Sequence, residues 1–168
     1  MAWRGIEAAP FAFFGDIMRT SAFAAALALI GAPTSALAGA PSEVVKSFYA
    51  PVGYETDPSL REKFTDPAVG VLEKNDRLSR GGEMGCITFG LAIDAQDFNQ
   101  SEIDSTLELT ETVAGDEAEV VARFDLFADQ EDVEREIVWM LKDIGGAWKV
   151  ADIASPEGGW RLSEFACD

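Results

Sequence analysis

At 168 residues the chain has room for about one domain, and 48% hydrophobic against 26% charged residues gives enough apolar surface for a core, which sets wholesale disorder aside. Thirty acidic against thirteen basic residues leave a net charge of -17, a field that repels phosphate backbones and anionic lipid and so excludes nucleic acid and membrane surfaces as partners. The chain contains no histidine, which removes every mechanism that needs imidazole, from the Ser-His-Asp triad to histidine-ligated zinc.

The first element in chain order is a leader. From Met18 the sequence reads MRTSAFAAALALIGAPTSALAGA, with one positive charge at Arg19, an apolar stretch from Ala22 to Ala32, then Pro33 and the small-residue site Ala36-Leu37-Ala38. That order is a secretory signal peptide. The apolar stretch is about half of the roughly 20 residues that a spanning helix requires. Residues 1–38 are therefore expected to be a signal peptide cleaved after Ala38. Met1 to Ile17 carries Glu7 and Asp16 and suits neither a charged n-region nor a folded element, which points to Met18 as the start of translation. No cysteine stands directly after the small residues of the cleavage site, so the expected product is one soluble periplasmic domain, residues 39–168, off the membrane after cleavage. Cys86 and Cys167 both survive, and an even count in an exported chain favours a disulfide that pins the C-terminal tail. The alternative is two unpaired buried thiols.

Three short helices come next. Pro41-Ser42 opens the first, with Ser42 as N-cap and Val44, Val45, Phe48 and Tyr49 on one face, and Pro51 and Gly53 end it. Asp57-Pro58 and Asp66-Pro67 each place an acidic cap before a proline at the first helical position. Leu60 and Phe64 are the apolar pair of the second helix; Ala68, Val71, Leu72 and Leu78 are the stripe of the third, which Gly81-Gly82 stops.

After Gly85 the period changes from helical to alternating. Thr106 to Val113 puts Leu107, Leu109 and Val113 on one face, and Ala114-Gly115-Asp116 turns the chain. Ala118 to Phe127 gathers Val120, Ala122, Phe124 and Leu126; Arg135 to Asp143 gathers Ile137, Trp139 and Leu141; Gly145-Gly146 then turns into Trp148 to Ile153. Helices first and a hairpin-linked antiparallel sheet second is α+β, with no βαβ alternation to support a parallel sheet.

The early Val44, Val45, Phe48, Tyr49 helix, the run Ala95-Gln96-Asp97 and the closing Gly146 to Ile153 resemble the nuclear transport factor 2-like superfamily. Among its members the chain is most similar to the exported bacterial family called domain of unknown function 3828. The resemblance covers the whole of residues 39–168 and implies a SnoaL-like cone, in which N-terminal helices pack on a strongly curved antiparallel sheet around a pocket. It implies no reaction, because that fold carries isomerases, dehydratases, binding modules and silent domains alike.

Two carboxylates, Asp94 and Asp97, fall at the junction of the helical and sheet halves. Neighbouring carboxylates can split their pKa values into an acid and a base, and a histidine-independent isomerase or hydrolase would use Asp97 as base with Tyr49 or Tyr54 as donor. The structural reading of the same residues is a turn, with Asp97 capping it and Gln96 bonding neighbouring backbone; we favour this reading and assign no catalytic residue. Oxygen ligands for calcium could be drawn from Asp94, Asp97, Asn99 and Glu102, but the spacing is not that of the twelve-residue calcium loop, and no metal or cofactor is expected. Tyr49, Tyr54, Gln96, Phe124, Trp139 and Trp148 are the candidates to line a pocket for a small apolar ligand, or else are core. Trp160 stands beyond the last predicted strand, where it docks the tail beside the disulfide. The acidic runs Asp94 to Glu111 and Glu117 to Glu136 read as solvated faces or as a surface for a basic protein. The leading expectation is a non-catalytic module that binds a small ligand or a protein, with a homodimer through the sheet face as one form; an enzyme and an acidic inhibitor or immunity-type protein are the alternatives.

Overall fold

Alternation in the sequence becomes a sheet because every second residue of the central strands is apolar and finds the same side. In a computed structural model, residues 39–128, 130 and 133–167 are described; the predicted leader lies outside them. Five strands, β1 (Glu108–Ala114), β2 (Glu117–Asp125), β3 (Glu134–Asp143), β4 (Trp148–Ser155) and β5 (Trp160–Arg161), lie side by side in chain order, each antiparallel to the next. The sheet is open. Its inner face is built in rows set by the register: Ala118 beside Leu141 beside Val150, Val120 beside Trp139 beside Ile153, and Ala122 beside Ile137, all buried. The α+β class and the three long antiparallel pairings expected from the sequence are present.

The hairpin between β3 and β4 turns on Gly145 and Gly146, both with positive φ (67° and 88°), a backbone that side chains rarely adopt. Asp143 fixes the turn by accepting the Gly146 N–H at 2.7 Å. Between Met140 and Leu141 the pairing of β3 with β4 shifts register, which puts Asp152 beside Met140 and bends the strands locally.

Helices cover the inner face. α1 (Pro41–Lys46) follows Ala40, with Pro41 at its first turn and no side-chain cap; Ser42 does not cap it, because it already lies inside the helix, where its free N–H donates to the Glu111 carboxylate of β1 at 2.8 Å. Asp57 does cap, accepting the Ser59 N–H at 2.8 Å at the head of a 3-10 helix, Pro58–Lys63, and that hydrogen bond holds its carboxyl below the usual range. α2 (Ala68–Arg80) starts after Pro67, and Asp66 supplies no cap. It buries Ala68, Val71, Leu72 and Asn75 along one stripe, and its lead-in is tied to the sheet where Thr65 N–H donates to the Val150 carbonyl at 2.9 Å.

A fourth helical segment, α3 (Gln100–Thr106), is not expected from the sequence and takes in Thr106, the predicted first residue of a strand. Asn99 caps it by accepting the Ser101 N–H at 3.0 Å, and Ile103 inserts fully into the core, so β1 begins at Glu108 and not at Thr106. Gln100 then stitches α3 to the chain after α1, donating to the Tyr49 carbonyl (2.9 Å) and accepting from Val52 N–H (3.1 Å). No helix among the described residues is long and apolar enough to cross a membrane.

Cys86 and Cys167 form a disulfide with Cα atoms 5.3 Å apart, across 81 residues of sequence. A loop of that size loses considerable freedom in the unfolded chain on closure. Reduction, or the paired replacement Cys86→Ser with Cys167→Ser, is expected to lower unfolding stability by about 3–5 kcal/mol, read by urea unfolding with and without reductant; an unchanged midpoint would show that the tail is held without the bridge.

Candidate functional site

The connection from α2 to α3, residues 81–99, crosses the junction where the sequence places its candidate carboxylates, and its geometry sets what each can do. Gly90 and Ala95 pair as an isolated bridge, Gly90 N–H donating to the Ala95 carbonyl at 2.9 Å. Between them Leu91, Ala92 and Ile93 are buried, and Asp94 closes the turn with φ at 50°, a conformation that short polar side chains tolerate better than most. The Asp94 carboxylate is fully engaged. Trp160 Nε1 donates to its Oδ1 at 2.6 Å and Ser155 Oγ to its Oδ2 at 2.8 Å, while Ser155 Oγ accepts the Gly158 N–H at 2.8 Å. Asp94 thereby pins the β4–β5 turn. A side chain at position 158 would run into both Asp94 and Trp160, so glycine is required there.

Asp97 is exposed in the loop that follows. The two aspartates therefore differ in kind: one is a hydrogen-bonded strut and the other a solvated loop residue. Asn99, a candidate calcium ligand, caps α3 with its side chain, and among the described residues no three acidic or cysteine side chains gather as metal ligands would.

The predicted pocket residues separate into three groups. Tyr49, Phe124 and Trp139 lie in the core, none more than 2% exposed, and pack on one another with Phe48: Phe48 on Trp139 at 5.0 Å between centroids, Tyr49 edge-on to Phe124 at 5.3 Å. Side chains fill the space between helices and sheet at this level. Tyr54 is 54% exposed, and Trp148 lies half-buried at the start of β4. Gln96 lines one open cleft, Trp148 a second, beside Val44 and Lys63, and Phe124 reaches the floor of a third, beside Thr106 and Arg123.

The hydroxyl of Tyr49 donates to the Ala92 carbonyl at 2.9 Å and accepts from Trp139 Nε1 at 3.2 Å. Burial pushes the Tyr49 phenol far above its ordinary value, the Trp139 hydrogen bond lowers it less, and the nearby Glu55 charge raises it further. With its proton committed to Ala92, Tyr49 has none to give to a substrate oxygen.

Glu55 was not legible as a site residue. It sits 1% exposed, accepts the Ala92 N–H through Oε1 at 2.8 Å, and keeps Oε2 buried with no partner among the described residues. The backbone of Ala92 is thus gripped at its carbonyl by Tyr49 and at its N–H by Glu55, one side chain on each of the two peptide groups that flank its Cα. Arg61 shapes the segment that carries Glu55: its guanidinium donates to the Thr56 carbonyl at 2.6 Å and the Asp57 carbonyl at 2.9 Å while pairing with Asp76 at 2.8 Å. Glu55, Thr56, Thr88, Phe89, Gln96 and Phe98 wall a cleft of about 420 Å³ beside this grip. At its far side Phe89, Trp160 and Phe165 form an edge-packed aromatic trio, with centroids 5.3, 5.7 and 6.1 Å apart, so Trp160 docks the tail as its position suggests.

No protein-family model matches the chain. An uncharacterized protein of Escherichia coli (strain K12), YqhG, is 32% identical over 87 residues, which is 52% of this chain and 27% of that protein, so the match spans about a quarter of that relative's length. Crystal structures of the type VI effector-immunity complex Tae3-Tai3 from Ralstonia pickettii, native and selenomethionine-labelled, are similar over 70% of this chain and 95% and 97% of theirs, with TM-scores of 0.48 and 0.47 and identities of 19% and 17%.

Three variants test these assignments. Asp94→Ala is expected to cost about 2–3 kcal/mol of stability, because two donors lose a charged acceptor, and to shift Trp160 fluorescence; Asp94→Asn, which keeps an acceptor for Trp160, should cost less than half as much. Equal, negligible effects of both on urea unfolding would remove the strut. Tyr49→Phe is expected to cost about 1–2 kcal/mol at neutral pH. Since the folded phenol titrates above the unfolded value of about 10, the wild type holds this contribution below pH 10 and loses it as pH rises further; Tyr49→Phe should flatten that alkaline loss.

Proposed function

We propose that residues 39–168 are an exported periplasmic module that works by binding and not by chemistry, built on the nuclear transport factor 2-like plan, and that its partner is a basic protein segment docked along the edge strand β1. A helix layer over an open antiparallel sheet supports the plan, and a disulfide supports an oxidising compartment. Two observations support binding over acid-base chemistry: Asp94 is hydrogen-bonded at both oxygens, and the Tyr49 proton is committed to backbone, which leaves the exposed Asp97 and Tyr54 as the remaining groups of that reading.

The distribution of charge carries the binding reading. Between Arg80 and Arg123 the chain bears ten carboxylates and no lysine or arginine, and β1 lies inside that stretch. β1 is the end strand of the sheet, with six of its seven residues exposed. It offers an unpaired backbone edge of the kind that accepts an added strand. Glu111 and Val113 face the helix side and Glu108 the outer side, so an incoming strand with lysine or arginine on both faces, around an apolar residue for Val113, fits it. A second copy pairing through β1 would bring glutamates toward glutamates, which is unfavourable.

A short peptide alternating lysine with valine is expected to bind, and to weaken as salt shortens the screening length. Glu108→Lys combined with Glu111→Gln should weaken it by at least about tenfold, while a peptide with glutamate in place of lysine should not bind. Isothermal titration checks this; equal binding of both peptides, or undiminished binding by the double variant, overturns the assignment. A homodimer in sedimentation that the double variant dissociates would put a second copy on β1 instead.

A further inference from the structure

We infer that the cleft walled by Glu55, Thr56, Thr88, Phe89, Gln96 and Phe98 is a binding site for a small organic cation bearing N–H donors, an ammonium or guanidinium on a short apolar stem, which neither the β1 edge nor any of the residues read from the sequence as catalytic requires. The inference starts from one atom. Glu55 is 1% exposed, and of its two carboxylate oxygens only Oε1 has a donor, the Ala92 N–H at 2.8 Å; Oε2 is buried with no partner among the described residues. A buried polar atom left unpaired is costly, and in folded proteins such atoms mark a missing partner.

Among the described residues none supplies that partner. The nearest guanidinium, Arg61, reaches the Glu55 backbone carbonyl at 3.4 Å but directs its ion pair to Asp76. The connection that forms the opposite wall belongs to the stretch without lysine or arginine. Glu55 lines a cleft of about 420 Å³, within the range of small-molecule sites.

The other walls match the same ligand. Phe89 and Phe98 present aromatic surface that suits an apolar stem or the face of a cation, and the Thr56, Thr88 and Gln96 side chains provide acceptors at the rim. An anion has no counter-charge here. A quaternary ammonium would bring charge but no N–H for Oε2. Gripping the Ala92 peptide fixes Glu55 in place before any ligand arrives, since Oε1 is held at 2.8 Å, so binding loses little side-chain freedom.

The test is titration of the whole chain, followed by backbone amide NMR, with n-propylguanidinium, its neutral isostere N-propylurea, and tetramethylammonium. Saturable shifts confined to residues 53–56 and 88–98 are expected with n-propylguanidinium, at millimolar affinity, with at least about tenfold weaker binding of the other two. Glu55→Gln should weaken n-propylguanidinium by about tenfold or more. Gln96→Arg, at an exposed rim position where the fold is not at risk, should weaken it likewise by placing a tethered guanidinium at the cleft. Absence of saturable shifts in the wild type, equal binding of N-propylurea, or unchanged affinity in Gln96→Arg overturns the proposal whether or not Glu55→Gln folds.

Discussion

Trp139 sits at the centre of the inner sheet face with its indole N–H directed to Tyr49, and Tyr49 passes the hydrogen bond on to the Ala92 carbonyl. That relay joins the sheet, the turn after α1 and the long connection before α3 through three buried groups. Its strength comes from burial. In a low-dielectric core each of these hydrogen bonds is stronger than at the surface, and each polar atom left without one would be correspondingly expensive. Glu55 completes the arrangement at the N–H of the same residue, so the backbone of Ala92 is satisfied by two side chains where no strand or helix is available to do it. The cleft beside Glu55 is shaped by this requirement.

A second clasp closes the C-terminal end. The disulfide fixes Cys167 to the connection after α2, while Asp94 holds the β4–β5 turn through Ser155 and Trp160. Between them Phe89, Trp160 and Phe165 pack edge to face. The covalent bond acts mainly by restricting the unfolded chain, whereas the carboxylate and the aromatic contacts stabilise the folded one. The same connection, residues 81–99, thus receives a tether from each end of the domain, which explains how a segment with little regular structure keeps a left-handed residue at Asp94.

Much of this was legible in the sequence wherever one residue type repeats at a fixed spacing. Val120, Ala122 and Phe124, and Ile137, Trp139 and Leu141, announce β2 and β3, and Gly145-Gly146 announces the turn, because strand alternation and positive φ leave local marks. The pairing of Cys86 with Cys167 was legible from count and context. α3 was not: of its residues only Ile103 is buried, so there is no apolar stripe, and the Asn99 cap was the one signal. Glu55 was hidden for a different reason. Between Tyr54 and Asp57 it looks like a solvated loop acid, and only the approach of Ala92, 37 residues later, buries it. Arg61 and Asp76 are likewise made partners by the fold and not by their spacing. The aromatics show the same limit in reverse: alternation put Phe124 and Trp139 on the inner face correctly but could not tell a filled interior from a pocket, since that depends on what Phe48 and Tyr49 bring from another element.

The arrangement of charge follows from the same division of labour. A domain that carries 30 acids and 13 bases must place most carboxylates where water solvates them, and self-repulsion then favours spreading them over every surface. What sets the stretch between Arg80 and Arg123 apart is the absence of bases: its ten carboxylates, on α3, on β1, on the start of β2 and in the connections around them, have no cation of the same stretch to offset them. Concentrating like charge along an exposed edge strand works against stability, and it also blocks that edge from pairing with copies of itself. An edge protected in this way stays open to a strand of opposite charge. The polar groups of the interior, by contrast, are consumed in holding the fold, with Glu55 Oε2 left over. In the two binding sites we propose, recognition is a matter of carboxylates: Glu108 and Glu111 on the edge strand, where attraction would be long-ranged and salt-sensitive, and Glu55 in the cleft, where it would be short-ranged and selective for a donor that fits.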